Sequence, residues 1–425
     1  MRFCRVLFAL LHMQLIPPAM ADNSQGSGKI APRVMIVSMN ITNITSPQWT
    51  PEAKVWYDRF HESKLGNLTS LAVPLPGLSM LFPHVFCTED GRVCQLTVGE
   101  GEINSAASMM ALVLSREFDL RQTYFLLAGI AGANPQYATI GSVALARFAV
   151  QVALQYEIDP RSLPQDWTTG YISYGRNYPF EYPCITYGTE VFEVNDKLRD
   201  VASLLASKAT LADEEGPRQY RSRYGGTRHH YAMGPKPPSV VKCDSATSDV
   251  YYSGTRLAQA FENTTDVWTN GTGVYCMSAQ EENATLEVLV RAAIEGLVDF
   301  ARVIIMRTVV VTGSNFDRPP PDLSDWQHLT NTNQNGFRIA IDNIYNAGIE
   351  IVKGIVTEWN CTFRRGIAPA NYIGDIFGSL GGHPDFGFGS LTGGKRVERA
   401  GRTGDLAKLE MDRRGQFGPR AMTKI

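Results

Sequence analysis

The chain has 425 residues, with 40 Lys plus Arg against 42 Asp plus Glu and a formal net charge of −2. That length buries a large core, as one big α/β domain or two smaller ones. The near balance of charge argues against nucleic acid or an anionic surface as the main partner.

Arg2 and Arg5 precede a mostly apolar run from Val6 to Ile16, and Ala19-Met20-Ala21 closes it. Charged, apolar and small residues in that order predict a secretory signal peptide over residues 1–21, cut after Ala21. A membrane anchor needs about 20 apolar residues, and this run is shorter and carries His12 and Gln14. No later stretch is long enough to span a bilayer, so the expectation is a chain outside the cell or in its wall, without a transmembrane segment. Six cysteines remain after the signal, and seven Asn-x-Ser/Thr sequons occur, in keeping with an oxidising compartment and glycosylation. No spacing predicts a metal site.

Arg33 to Met39 reads as the first strand, and Pro51 opens a helix that carries Glu52 in its first turn. Phe86 to Cys94 reads as a hairpin whose Asp90-Gly91 turn sets Cys87 opposite Cys94. A disulfide there competes with two free cysteines on a buried strand pair. Leu96 to Asn134 parses as strand, Gly99-x-Gly101 turn, small-residue helix, the strand Tyr124 to Ala128, and a second glycine turn at Gly129-Ile130-Ala131-Gly132. Two strand ends opening through glycines onto one edge make a crevice for a small ligand, although such glycines also serve simply to seat helices on sheets.

Gly141 to Val152 continues the sheet, and Phe192 to Ala206 has helical spacing with Leu198, Val201 and Leu205 on one face. Leu211 to Val240 is polar and reads as a surface insertion. A last helix-strand pair runs from Ser278 to Val311, and residues 376–425 read as a flexible, glycine-rich and basic tail.

In that last pair, Ser278-Ala279-Gln280-Glu281 has the spacing of a capping box. Counting back four from Leu286 puts Glu282 on the inward face of the helix, in its first turn. A carboxylate there needs donors, which a sugar diol in a cleft or an ion pair with Arg307 would each supply. The strand delivering Arg307 ends in a polar turn, where Asn315 or Asp317 is placed to bond a heterocycle or to cap the turn.

Several ordered motifs resemble the purine nucleoside permease family, a relative of the nucleoside phosphorylase and methylthioadenosine nucleosidase superfamily. They are Val34 to Met39, Gly99-x-Gly101-x-x-Asn104-x-Ala106-Ala107, Leu127 to Gly132, Gly271-Thr272-Gly273-Val274-Tyr275, Met277 to Leu286, and Ser314-Asn315-Phe316-Asp317. The resemblance implies a three-layer αβα fold, a twisted mixed sheet flanked by helices, as one domain over residues 30–375. It assigns Glu282 to the ribose hydroxyls with Asn283 beside them, which argues against a glycan on Asn283. Ser248 to Tyr252 resembles the strand whose aromatic residue stacks on the purine, so Tyr251 is the stacking candidate. Asn315 falls where nucleosidases keep an aspartate that protonates the base; an amide hydrogen-bonds there but delivers no proton. The early glutamate that activates water is missing after Met39, with Glu52 the nearby substitute.

The substrate-binding set implied is thus Glu282, Asn283, Tyr251, Gly99, Gly101, Ala131, Gly132 and Arg307, with Asn315 and Glu52 as catalytic candidates. Leu127 and Ile130 stand where phosphorylases hold phosphate, and neither binds an oxyanion, so phosphate as co-substrate is disfavoured and no other cofactor is implied. The expected ligands are adenosine and guanosine. The expected function is cleavage of the purine–ribose bond in nucleoside salvage, or else binding for uptake through a separate membrane transporter. A homo-oligomer is compatible with the resemblance.

Overall fold

The computed structural model describes residues 28–40, 51–225, 231–310, 318–330 and 334–386. The signal-peptide reading and Asn315 lie outside them. The chain opens with strand β1 (Val34–Ser38), whose side chains are all buried, and helix α1 (Pro51–Arg59), with proline at its first position. Strands β2 (Leu71–Pro74), β3 (His84–Cys87) and β4 (Val93–Thr97) form an antiparallel edge. Cys87 and Cys94 are register partners and are joined as a disulfide, as the Asp90-Gly91 turn predicts. Helix α2 (Glu102–Val113) follows, then β5 (Tyr124–Ala133), β6 (Val143–Ala146), β7 (Phe148–Gln151) and the small pair β8 (Tyr156–Glu157) and β9 (Tyr171–Ile172).

The central part contains β10 (Val191–Glu193), α3 (Asp196–Ala206), α4 (Glu215–Ser222), β11 (Val240–Lys242), β12 (Asp244–Thr247) and α5 (Thr255–Trp268). Strand β13 (Tyr275–Ala279), helix α6 (Glu282–Ile294) and β14 (Val303–Val309) complete the site-bearing part. Helices α7 (Asp325–Thr330) and α8 (Phe337–Thr357) and strand β15 (Gly374–Asp375) close the described chain.

Thirteen of these strands make one mixed sheet. Its centre is parallel: β4, β1, β5 and β14 lie side by side in one direction. Alternation along these strands feeds two cores. Val34, Ile36, Tyr124, Leu126 and Ala128 face α1, α3 and α8, whereas Met35, Val37, Phe125 and Leu127 face α2 and α6. This is the expected layered α/β architecture, with helices on both faces of a mixed sheet.

Six expectations need correction. Gly129 to Gly132 do not end a strand; they lie inside β5, whose far end turns away to pair antiparallel with β13 through Gly132 and Ala133. Ser278 is not a helix cap, because it is the fourth residue of buried β13 and pairs with Gly132. Phe192 belongs to β10, and the helix after it starts at Asp196, capped by the Asn195 side chain. The segment after Leu211 is not wholly superficial, since Tyr220 and Tyr224 are buried in the main core. The folded unit also continues past residue 375: Ile376 and Phe386 are buried beside Phe148.

The pair ending in β14 is likewise not the last. Helix α8 buries Ile344, Tyr345, Ile351 and Ile355 against the sheet. Its Gly348 leaves room for the ring of Trp56, which a Cβ would approach to 2.6 Å. A second disulfide, Cys243–Cys276, ties the residue before β12 to β13.

Candidate functional site

Register sets the site. Arg307 of β14 lies beside Gly129 of β5. A Cβ on Gly129 would stand 2.6 Å from Arg307 Nη1, 2.6 Å from Glu52 Oε1 and 3.0 Å from Met39 Sδ. Absence of a side chain there lets groups from three other elements meet over the strand.

Arg307 is held by three hydrogen bonds. Its Nε donates to Glu282 Oε1 at 2.7 Å, its Nη2 to Glu281 Oε2 at 2.8 Å, and its Nη1 to the Ile130 carbonyl at 3.0 Å. Burial alone would lower its pKa, but the Glu282 and Glu281 carboxylates hold it well above its ordinary value. Glu282 also accepts from Ser245 Oγ at 3.3 Å, and its Oε2 is buried without a hydrogen-bond partner among the described residues. Glu281 Oε1 accepts from the Gly101 N–H at 3.0 Å. That bond explains the Gly99-x-Gly101 turn: at φ of 84° and 87° the backbone aims an amide at Glu281 and brings α2 in behind it.

Above this pair opens a small cleft, partly open to solvent. Its floor is Met39, Ala131, Glu281 and Arg307, each at most 2 % exposed, with Glu52 and Ser278 beside them. Its rim includes Glu100, Tyr251 and Gln280. Glu52 enters from the first turn of α1, and its Oε1 accepts from the Ile130 N–H at 2.8 Å. Burial pushes its carboxyl well above the usual range, although Arg307 pulls the other way. At the rim the Tyr251 hydroxyl donates to Glu100 Oε1 at 3.1 Å. Burial, then the nearby Glu281, raise Glu100 to about 7.

Four of the residues expected in the site line this cleft: Glu52, Tyr251, Ala131 and Arg307. Tyr251 stands on the loop after β12 rather than on a strand, and it is 45 % exposed, so its ring is available to a flat ligand. Gly99 and Gly101 shape the wall from behind. Glu282 is inward, as its helical phase predicts, but it lies under Arg307 and is fully buried. Gly132 is taken up by the β5–β13 pairing. Asn283 points elsewhere: it accepts from Thr247 Oγ1 at 2.7 Å, donates to the Thr189 carbonyl at 2.7 Å, and lines a separate groove with residues of α2. An amide nitrogen so engaged and 2 % exposed is closed to a glycan.

Sequence reasoning passed over Glu281 and Glu100. Glu100 is the residue between the two glycines, and a charged group held in a tight turn at a strand end was the available signal. Among the described residues no group of acidic, histidine or cysteine side chains is arranged to hold a metal ion. No described helix is long and apolar enough to cross a membrane.

Residues 31–368 match the pattern of the purine nucleoside permease (NUP) family. A purine nucleoside permease of Candida albicans is 47 % identical over 321 residues, covering 74 % of this chain and 77 % of that protein. A probable purine nucleoside permease of Schizosaccharomyces pombe is 36 % identical over 368 residues, covering 85 % and 99 %. Among solved structures, a methylthioadenosine/S-adenosylhomocysteine nucleosidase of Neisseria meningitidis is 12 % identical, with a TM-score of 0.41 over 76 % of this chain and 99 % of that one. Futalosine hydrolase of Helicobacter pylori gives 11 % identity and a TM-score of 0.42 over 77 % and 98 %. The chain belongs to the purine nucleoside permease family.

Proposed function

We propose that the cleft binds a purine nucleoside outside the cell and hydrolyses its N-glycosidic bond. The observation that carries this reading is the meeting of Glu52, Arg307 and Glu281 over Gly129. One carboxyl with a raised pKa stands beside a carboxylate already oriented by a guanidinium and a backbone amide. In this scheme Glu281 accepts from the ribose hydroxyls, a role moved one residue from Glu282, which instead holds Arg307 in place. The exposed ring of Tyr251 stacks on the purine. Ionised Glu52 takes a proton from a water whose oxygen bonds C1′ as the bond from C1′ to the purine nitrogen breaks; the departing base takes a proton from solvent, and Glu52 releases the one it took. Asn315 would bond the leaving base and stabilise its developing charge.

Phosphorolysis fits less well. Arg307 is the one cation among the described lining residues, and its nitrogens are occupied by two carboxylates and a carbonyl. A phosphate brought to this guanidinium would meet the Glu281 carboxylate that it already holds. The relatives' name favours a second reading, in which the chain binds adenosine or guanosine and passes it to a membrane transporter without chemistry.

One assay separates the readings: incubation of the purified chain with adenosine or guanosine, with and without phosphate, followed by measurement of free base and ribose. Base released without phosphate supports hydrolysis. Release only with phosphate replaces it by phosphorolysis, and tight binding without release leaves the uptake role.

A further inference from the structure

The cleft lies toward the carboxyl ends of the parallel strands, and the surface at their amino ends is built differently. There Val34 of β1 pairs with Val93 of β4 and Tyr124 of β5. The Val356 carbonyl accepts from Arg33 Nη1 at 3.1 Å, and the Phe363 carbonyl accepts from the Tyr124 hydroxyl at 2.9 Å. These bonds set the end of α8 and the turn Trp359–Phe363 on this pole. Beyond β4, a Cβ on Gly66 would lie 3.7 Å from Thr88, whose N–H donates to the Val93 carbonyl, so the segment before β2 reaches the same pole. The two segments hold the sequons Asn67-Leu68-Thr69 and Asn360-Cys361-Thr362, and both asparagines are exposed. From Tyr124 to Gly129, roughly 16 Å of strand separates this pole from the cleft.

The other sequons among the described residues are closed. Asn40, Asn270 and Asn283 are at most 2 % exposed. Asn263 is half-buried on α5 and accepts from Gln259, and the hydroxyl of its sequon partner Thr265 is buried and donates to the Phe261 carbonyl at 2.9 Å. A hydrated oligosaccharide cannot be carried into a close-packed interior, so a chain that bore one at these positions would not complete this fold. At Asn67 the geometry runs the other way. Its Oδ1 accepts from the Thr69 N–H and hydroxyl, both at 3.0 Å, which leaves the amide nitrogen as the reacting end. We propose that Asn67 and Asn360 are the N-glycosylated positions among the described residues, so that glycans coat the amino-end pole and leave the cleft bare. The inference rests on export from the cell and not on the nucleoside chemistry. In the transfer, the bond from the first sugar's anomeric carbon to the phosphate oxygen of a lipid pyrophosphate donor breaks. That carbon bonds Nδ2 of the asparagine, the amide gives up one proton, and the lipid pyrophosphate leaves.

The test is expression of the full chain in a eukaryotic secretory host, collection of the protein from the medium, and enzymatic removal of N-glycans in heavy-oxygen water. Each formerly glycosylated asparagine becomes a labelled aspartate that peptide mass spectrometry locates. Label is expected on Asn67 and Asn360 and not on Asn40, Asn263, Asn270 or Asn283. Asn67→Gln and Asn360→Gln should each lower the mass of the secreted chain by one glycan, with the unfolding midpoint of the deglycosylated protein close to wild type, as for other surface substitutions. Label on any of the four closed positions overturns the proposal, as does its absence from Asn67 or Asn360. A chain kept inside the host without any glycan overturns it together with the placement outside the cell. Glycans at the two sites on a chain that neither binds nor cleaves adenosine would remove the nucleoside reading and leave this inference standing.

Discussion

The two halves of β5 make the same strand from different physics. From Tyr124 to Ala128 every side chain is buried apolar matter, shared between two cores and flanked by parallel β1 and β14. From Gly129 to Ala133 the side chains shrink to glycine and alanine around Ile130, and the space above is filled by Glu52, Arg307 and Met39. The first half is held by hydrophobic burial. The second is held by a guanidinium shared between two carboxylates, in a place where a larger residue would have no room. A strand that loses side-chain volume partway along its length is therefore a place to look for what other elements bring there.

The difference can be broken from either side. Arg307→Met should cost most, about 3–5 kcal/mol, because it leaves Glu281 and Glu282 buried without their cation. Chemical denaturation followed by circular dichroism would show it, and a shift under about 1 kcal/mol would mean that the pair is not energetically coupled. Leu126→Ala, in the apolar half, should cost about 2–4 kcal/mol by leaving a cavity while nucleoside affinity stays near wild type. Gly129→Ala should show the opposite pattern. A loss of about 1–2 kcal/mol in stability would accompany a large loss of affinity, because the new methyl displaces Arg307 and Glu52 together.

The smallest effect is a pH dependence. Glu100 has a folded-state pKa raised to about 7, above its unfolded value, so the folded chain binds more protons than the unfolded one between roughly pH 4.5 and 7. Its contribution therefore makes stability fall as pH rises through that window. Glu100→Gln should remove that fall, and be more stable than wild type by about 1–2 kcal/mol at pH 8 and by little at pH 4. A constant difference between the two proteins across this range would contradict the placement of Glu100.

What the sequence made legible was local. The Cys87–Cys94 pair follows from a two-residue turn between them, and α1 begins at a proline because nothing distant opposes it. The inward phase of Glu282 was also readable, since it needs only helical geometry. Misreadings arose where the reason for a residue lay far away in the chain. The glycines of β5 look like a turn until Arg307 and Glu52 are brought over Gly129. Helix α8 hides its periodicity behind Gly348 and Gly354, which exist to admit Trp56 and Leu205. Ser278 and Glu281 have capping-box spacing, yet strand pairing with β5 takes the serine and Arg307 takes the glutamate. In the site itself, Glu281 rather than Glu282 reaches the cleft because the helix starts one residue beyond it.

The most direct test of the account is the release of adenine from adenosine by the full chain in phosphate-free buffer, compared with Glu52→Gln. The account predicts release by the wild type and a fall of at least about 100-fold in the variant, since the amide cannot take the proton from water. Folding of the variant is checked by its unfolding midpoint. Equal rates in the two proteins, or release by the wild type only after phosphate is added, would contradict it.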